Sequence, residues 1–290
     1  VFSKKFRHAY LVASALTVMS LAGCADGVAG GSGALQVSGS TTVAPVAADA
    51  AQALKAEGLD ITVATQGGSA GGISQLAAGQ INIAMSSKPL AKEDKAASPD
   101  TDFLSTQIGA DAVGVIVTKQ VADAGVKNLT AAQVRDLFEG KITNWSEVGG
   151  PDLDVFVYDK EPGRGTREVL DKYIYGDEKA PPPPKSGNFA IVGGNLETRN
   201  KLESTPGAVA PLSTSFVEGR DGLAAVTLDG IEPSPENIAS GKYPMARPLY
   251  LITDGKPKGS AKEFLDYVLG SEGQKLMTKH GYLTLKEIGK

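Results

Sequence analysis

Three stretches of the sequence set glycine beside a hydroxyl residue just ahead of a helical run: Ser38-Gly-Ser-Thr-Thr42, Gln66-Gly-Gly-Ser-Ala-Gly-Gly72 and Gly163-Arg-Gly-Thr-Arg167. A helix start carries unpaired N–H groups and about half a positive charge, so it is suited to hold an anion. Glycine allows a ligand close to the backbone, and Ser or Thr adds further donors. The competing account is that each hydroxyl caps its own helix. That explains any one junction well, whereas three in one chain favour anion binding. A fourth polar segment, Ala84-Met-Ser-Ser-Lys-Pro89, puts hydroxyls and a cation directly after an apolar run.

The elements that must carry these turns alternate. Strands are expected at 34–37, 59–64, 81–85, 113–118 and 155–158. Helices are expected at 43–54, 73–79, 130–138, 167–175 and, as one long element, 260–279. Such alternation implies open, largely parallel α/β sheets, whose ligands lie at the carboxyl ends of the strands, where the glycine turns fall. Pro181–Pro184 reads as a stiff surface spacer, and no internal repeat is evident.

Composition narrows the function classes. The 290 residues carry 29 basic and 33 acidic side chains, a formal charge of −4, which gives no electrostatic footprint for nucleic acid. A single Cys and two His exclude a disulfide framework and argue against a metal site. No cofactor is expected. A hydrolase with a Ser or Thr nucleophile would have to recruit His280, and nothing near it in sequence suggests so. The expectation is therefore a binding protein, not an enzyme.

The first residues read as an export signal. Lys4, Lys5, Arg7 and His8 precede an apolar stretch from Ala9 to Ala22, which ends in Leu21-Ala-Gly-Cys24. Residues 1–23 are expected to be a lipoprotein signal peptide, Cys24 the lipidated residue and 24–33 a flexible tether. Removal of the signal takes three basic and no acidic residues, leaving −7. The expected location is the cell envelope, anchored by lipid to the outer face of the cytoplasmic membrane.

At this point the chain resembles the phosphate-binding lipoproteins of Pst-type ABC phosphate importers. The resemblance rests on Ser38–Pro45, Gly67–Ile73, Ala84–Leu90, Gly140-Lys-Ile-Thr-Asn-Trp-Ser-Glu-Val-Gly-Gly150, Lys160–Arg167, Gly241-Lys-Tyr-Pro-Met-Ala-Arg-Pro-Leu-Tyr250, Gly270–Gln274 and Gly281–Leu283, in order over the mature chain. It implies a two-lobed Venus-flytrap of the type II periplasmic binding class. One lobe would comprise 34–112 and 222–290, and the other 113–221. Phosphate would be held by Ser40, Thr41, Thr42, Ser69 and Ser87 from the first lobe, and by Lys160, Arg164, Gly165 and Thr166 from the second. The implied partners are an ABC permease and its ATPase subunits. A sensor or adhesin without transport would look the same in sequence.

The likeness departs from the family at one motif. The usual Arg-x-x-Gly-Ser-Gly-Thr reads Lys160-Glu-Pro-Gly-Arg-Gly-Thr166 here, so a bidentate fork becomes a compact ammonium and a small hydroxyl becomes a long cation. Either Arg164 restores the guanidinium inside the cleft, or it points to solvent against Glu161 or Glu168. Ser87 stands where some relatives carry Asp, which accepts the proton of hydrogen phosphate, so arsenate and sulfate are the competing ligands. Elsewhere Trp145 is expected to be a packing anchor and Asp111 a hinge residue. Tyr243, Arg247 and Tyr250 are expected to be structural, Arg167 is expected to be balanced by Glu168 or by the bound anion, and Lys88 is expected to act through its field.

Overall fold

The computed structural model describes residues 34–185 and 187–290, so the signal segment, Cys24 and the tether lie outside the described residues. The first part runs β1 (Leu35–Gly39), α1 (Ala44–Lys55), β2 (Ile61–Ala64), α2 (Gly68–Ala77), β3 (Ile83–Ser86), α3 (Lys92–Ala97) and β4 (Phe103–Thr118). It continues with α4 (Lys119–Asp123), β5 (Asn128–Leu129), α5 (Ala131–Phe138), β6 (Phe156–Lys160), α6 (Gly165–Tyr175), β7 (Phe189–Val192), α7 (Asn195–Ser204) and β8 (Ala208–Ser213). The chain closes with β9 (Leu223–Ala225), β10 (Thr227–Leu228), α8 (Pro235–Ala239), β11 (Ala246–Asp254), α9 (Gly259–Leu269) and α10 (Ser271–Lys279).

The alternation has the expected consequence. β1 pairs in parallel with β2 and β3, and β6 pairs in parallel with β7 and β8. In α1, Val46, Ala47, Ala50, Ala51 and Leu54 recur at helical spacing and are buried, and Pro45 sits in the first turn, where its missing N–H costs nothing. The path β2-β1-β3-β11-β4-β8-β6-β7 is continuous because β4 belongs to both ends of it. Its residues 103–112 pair with β11, and Val113–Val117 pair with β8.

Two cores flank this shared strand. One gathers Val37, Val46, Ile83, Met85, Leu249 and Phe264; the other gathers Val115, Val134, Trp145, Leu170 and Val209. Each buried side chain of this size contributes roughly 1.5–3 kcal/mol. Trp145 is fully buried, and its indole N–H donates to the Gly207 carbonyl at 2.9 Å, which makes it an anchor of the second core.

Two expectations need correction. The resemblance implies that residues 222–245 belong to the first lobe, whereas Val226, Leu228, Tyr243 and Met245 pack into the second core, β9 pairs with β4, and β10 pairs with β5. Their apolar side chains complete that core, so the chain rejoins the first half near Ala246. The single helix expected over 260–279 is instead α9 and α10, broken at Gly270, whose ψ of 175° is extended. Gly273 lies so close to the Val268 backbone that a side chain there would collide.

Candidate functional site

Four of the strand-to-helix turns converge. The starts of α1, α2, α6 and α7 and the end of β3 surround a narrow cavity. It is lined by Ser40, Thr41, Thr42, Gly68, Ser69, Ser87, Lys160, Arg164, Gly165, Thr166, Gly193 and Asn195. All nine residues expected from the sequence line this one space. Gly68, Gly193 and Asn195 are additions. The last two belong to Gly193-Gly194-Asn195, a fourth glycine turn at the junction of β7 and α7, in which an amide stands where the other three carry a hydroxyl.

The hydroxyls mostly do not cap their own helices. Ser40 is the exception: its Oγ accepts the N–H groups of Thr42 and Val43 at 3.2 and 3.4 Å. At α2, α6 and α7 no side chain caps the first turn, and Gly67 enters α2 with φ of 70°. The Ser69 hydroxyl accepts the Ser87 N–H at 3.1 Å, and the Thr166 hydroxyl accepts from Arg247 at 3.0 Å. Helix N–H groups are thus left for whatever enters the cavity.

The two halves touch around it. Ala70 N–H donates to the Gly163 carbonyl at 3.1 Å, and Asn195 Nδ2 donates to Thr42 Oγ1 at 2.9 Å. Lys88, expected to act by field alone, is buried and forms ion pairs at 3.1 Å with both Asp94 and Glu168. Glu168 is therefore not the balance for Arg167, whose guanidinium pairs with Asp159 and Asp171.

The cations are arranged differently from either expectation. Arg164 pairs with Glu161 at 2.5 Å, yet its side chain is only 14% exposed. It lies across the cavity between Gly68 and Gly193: a methyl group on Gly68 would strike it, and one on Gly193 would press against it. Lys160 lines the cavity with its ammonium directed to the Gly193 and Gly194 carbonyls, Asn195 Oδ1 and the Thr198 hydroxyl. Burial, with Arg164 and Arg247 nearby, pulls Lys160 down to about 7. Burial likewise pushes Asp159 up to about 6, against the pull of Arg167.

Arg247, read from the sequence as structural, is the buried centre of the network. Nε and Nη2 donate to Asp111 Oδ2 at 3.0 and 2.7 Å. Nη2 also donates to Thr42 Oγ1 at 2.9 Å, and Nη1 donates to Thr166 and Ser87. Asp111 also accepts from Ser213 at 2.8 Å, so it bonds both to β11 and to the end of β8. No carboxylate lines the cavity. His280 is elsewhere, bonded to Asp49 on α1 at 2.9 Å. The arrangement offers hydroxyls, helix N–H groups and an ammonium to a small anion.

Comparison with known proteins agrees with this geometry. Residues 25–272 match the PBP superfamily domain. The chain is 31% identical over 260 residues to the phosphate-binding protein PstS of Bacillus subtilis, covering 89% of this chain and 82% of that one. A protein of Clostridium perfringens described as a phosphate ABC transporter substrate-binding protein, solved with bound phosphate, superposes with a TM-score of 0.77 at 31% identity, over 87% of this chain and all of that one. An ABC-type phosphate transport receptor of Vibrio cholerae gives a TM-score of 0.69 at 25% identity, over 86% and 99% of the two chains.

Proposed function

Because this chain belongs to the PBP superfamily, among the PstS phosphate-binding proteins, we propose that it captures inorganic phosphate between two lobes and delivers it to an ABC import permease. The lobes in this reading are 34–111 with 246–290, and 112–245. The observation that carries it is a single carboxylate-free cavity assembled from both halves, with uncapped helix starts, hydroxyls and Lys160 around it. The ligands would be Ser40, Thr41, Thr42, Ser69, Ser87, Lys160, Arg164, Gly165 and Thr166, joined by Gly68, Gly193 and Asn195. Each charge-assisted hydrogen bond to the anion is worth about 1.5–3 kcal/mol. Affinity comes from burying the ligand as the lobes close, with no covalent step. Lipid on Cys24 would hold the protein at the outer face of the cytoplasmic membrane.

Isothermal titration of the phosphate-stripped chain with phosphate tests this reading. Saturable one-to-one binding is expected, and its loss in a Thr42→Val/Ser69→Ala variant that still folds would tie it to this cavity. A stripped protein that ignores phosphate overturns the proposal.

A further inference from the structure

Resting on the reading that phosphate is captured by closure of the two halves, we propose that a second cavity, behind the hinge, is the space the halves need in order to open. Bulk placed in it holds them closed.

The position of this cavity follows from strand geometry. Asp111 on β4 and Arg247 on β11 are register partners, so their side chains share one face of the sheet. That face is the one toward Thr42, Ser87 and Thr166, which Arg247 reaches. Side chains alternate along a strand, so Ala110 and Ala112 point the other way. The β4 segment Ala110–Ala112 forms the floor of a cavity of about 330 Å³. It thus lies across the hinge strands from the phosphate cavity. Thr278 on α10 and Glu287 wall it from the first half, and Glu218, Pro235 and Ile238 wall it from the second.

The halves touch around the phosphate cavity through Asn195 and Thr42, Ala70 and Gly163, and Lys88 and Glu168. This is the closed arrangement, in which the space behind the hinge is widest. Rotation about the crossing strands that parts those contacts carries Thr278 toward Pro235 and Ile238. Glu218 and Glu287 stand on opposite walls, and among the described residues no basic side chain lines the cavity. Narrowing it brings like charges together, which costs energy. Filling it blocks the rotation outright. Either way the closed, liganded protein is favoured over the open, empty one, and phosphate binding tightens.

The test is titration of the stripped full chain with phosphate in the parent, Thr278→Trp, Pro235→Trp and Thr278→Ala. The two tryptophans enter from opposite walls at exposed positions, and thermal unfolding establishes that each variant folds. Trp145 is fully buried, so acrylamide quenching reads the new indole and shows whether it occupies the cavity. With a sheltered indole from either wall, phosphate affinity should rise at least about threefold and stopped-flow release should slow. Thr278→Ala adds no bulk and should match the parent. Small-angle scattering without phosphate should show the filled variants to be more compact than the parent. Unchanged or weaker binding in a folded variant with a sheltered indole overturns the inference, as do indoles that stay exposed in both variants. Either result beside normal phosphate binding by the parent overturns this inference alone. A parent that binds no phosphate overturns the capture reading with it.

Discussion

Lys88 and Glu168 meet at 3.1 Å although one follows β3 and the other lies in the first turn of α6, in opposite halves of the molecule. The same ammonium is 3.1 Å from Asp94, on its own side. Burial works against the charge on Lys88, but the two carboxylates outweigh it and raise its pKa. Lys88 therefore stays charged and paired with Asp94 throughout, and the bond to Glu168 is the part that depends on the halves being together.

Glu168→Gln should accordingly weaken phosphate binding about two- to fivefold, the scale of an ion pair with one exposed partner, without changing the site itself. Because screening reduces such pairs, the difference from the parent should shrink in high salt. Titration at two ionic strengths checks this; equal affinities at low salt would show that the pair does not hold the closed state.

Gly165→Ala should block closure. A methyl group at this position would fall 2.5 Å from Ser87 Oγ and 2.9 Å from the Ser87 carbonyl, and backbone cannot yield as a flexible side chain does. Alanine is acceptable in the first turn of a helix, so the fold should survive while phosphate affinity drops at least about 30-fold. Small-angle scattering in saturating phosphate should then show the extended form. A compact variant with parental affinity would contradict the geometry.

Anion binding should weaken as pH rises through about 7. Lys160 is held near that value in the unliganded protein, and a bound anion favours the ammonium, so above 7 binding must take up a proton. Sulfate has no proton to exchange in this range, so its affinity should fall by up to about tenfold per pH unit from the protein side alone. Stability of the unliganded fold moves the other way. Lysine in the unfolded chain keeps its proton to about 10.5, so between 7 and 10.5 the unfolded state binds more protons and stability rises with pH. Lys160→Arg should flatten both profiles, and a steep sulfate profile in that variant would assign the proton elsewhere.

Arg164→Ser should have a modest effect. Its guanidinium is already shared with Glu161, and its backbone N–H, at the start of α6, is kept by serine. An affinity loss of about two- to fivefold with faster release is expected, because the side chain covers the cavity between Gly68 and Gly193. Stopped-flow release of phosphate distinguishes a cover from a ligand: a loss of a hundredfold would mean that the guanidinium itself grips the anion.

The site was legible wherever its information is local. Ser40–Thr42, Ser69 and Gly165–Thr166 each sit in a turn whose glycine and hydroxyl pattern is visible over a few residues. Gly193–Asn195 follows an apolar strand, but no hydroxyl stands beside its glycines, so it lacks the pattern that marks the other three turns. Arg247 was legible as structural, but not as the centre of the buried network. Its role follows from the pairing of β11 with β4, which sets it opposite Asp111 across 136 positions of sequence. The same distance effect hid the membership of residues 222–245, since their partners on β4 and β5 lie about a hundred residues earlier.

The two places where the chain passes between its halves, near Asp111–Ala112 and Met245–Arg247, are adjacent strands, and the Asp111–Arg247 pair bridges them. If the halves swing apart there, these two residues lie on the axis of rotation, where the lever arm is shortest. The guanidinium would travel little while Lys160, Arg164 and Thr166 sweep outward. The first-lobe hydroxyls of Thr42 and Ser87 would remain oriented in the open form, ready to receive an anion before the second half arrives.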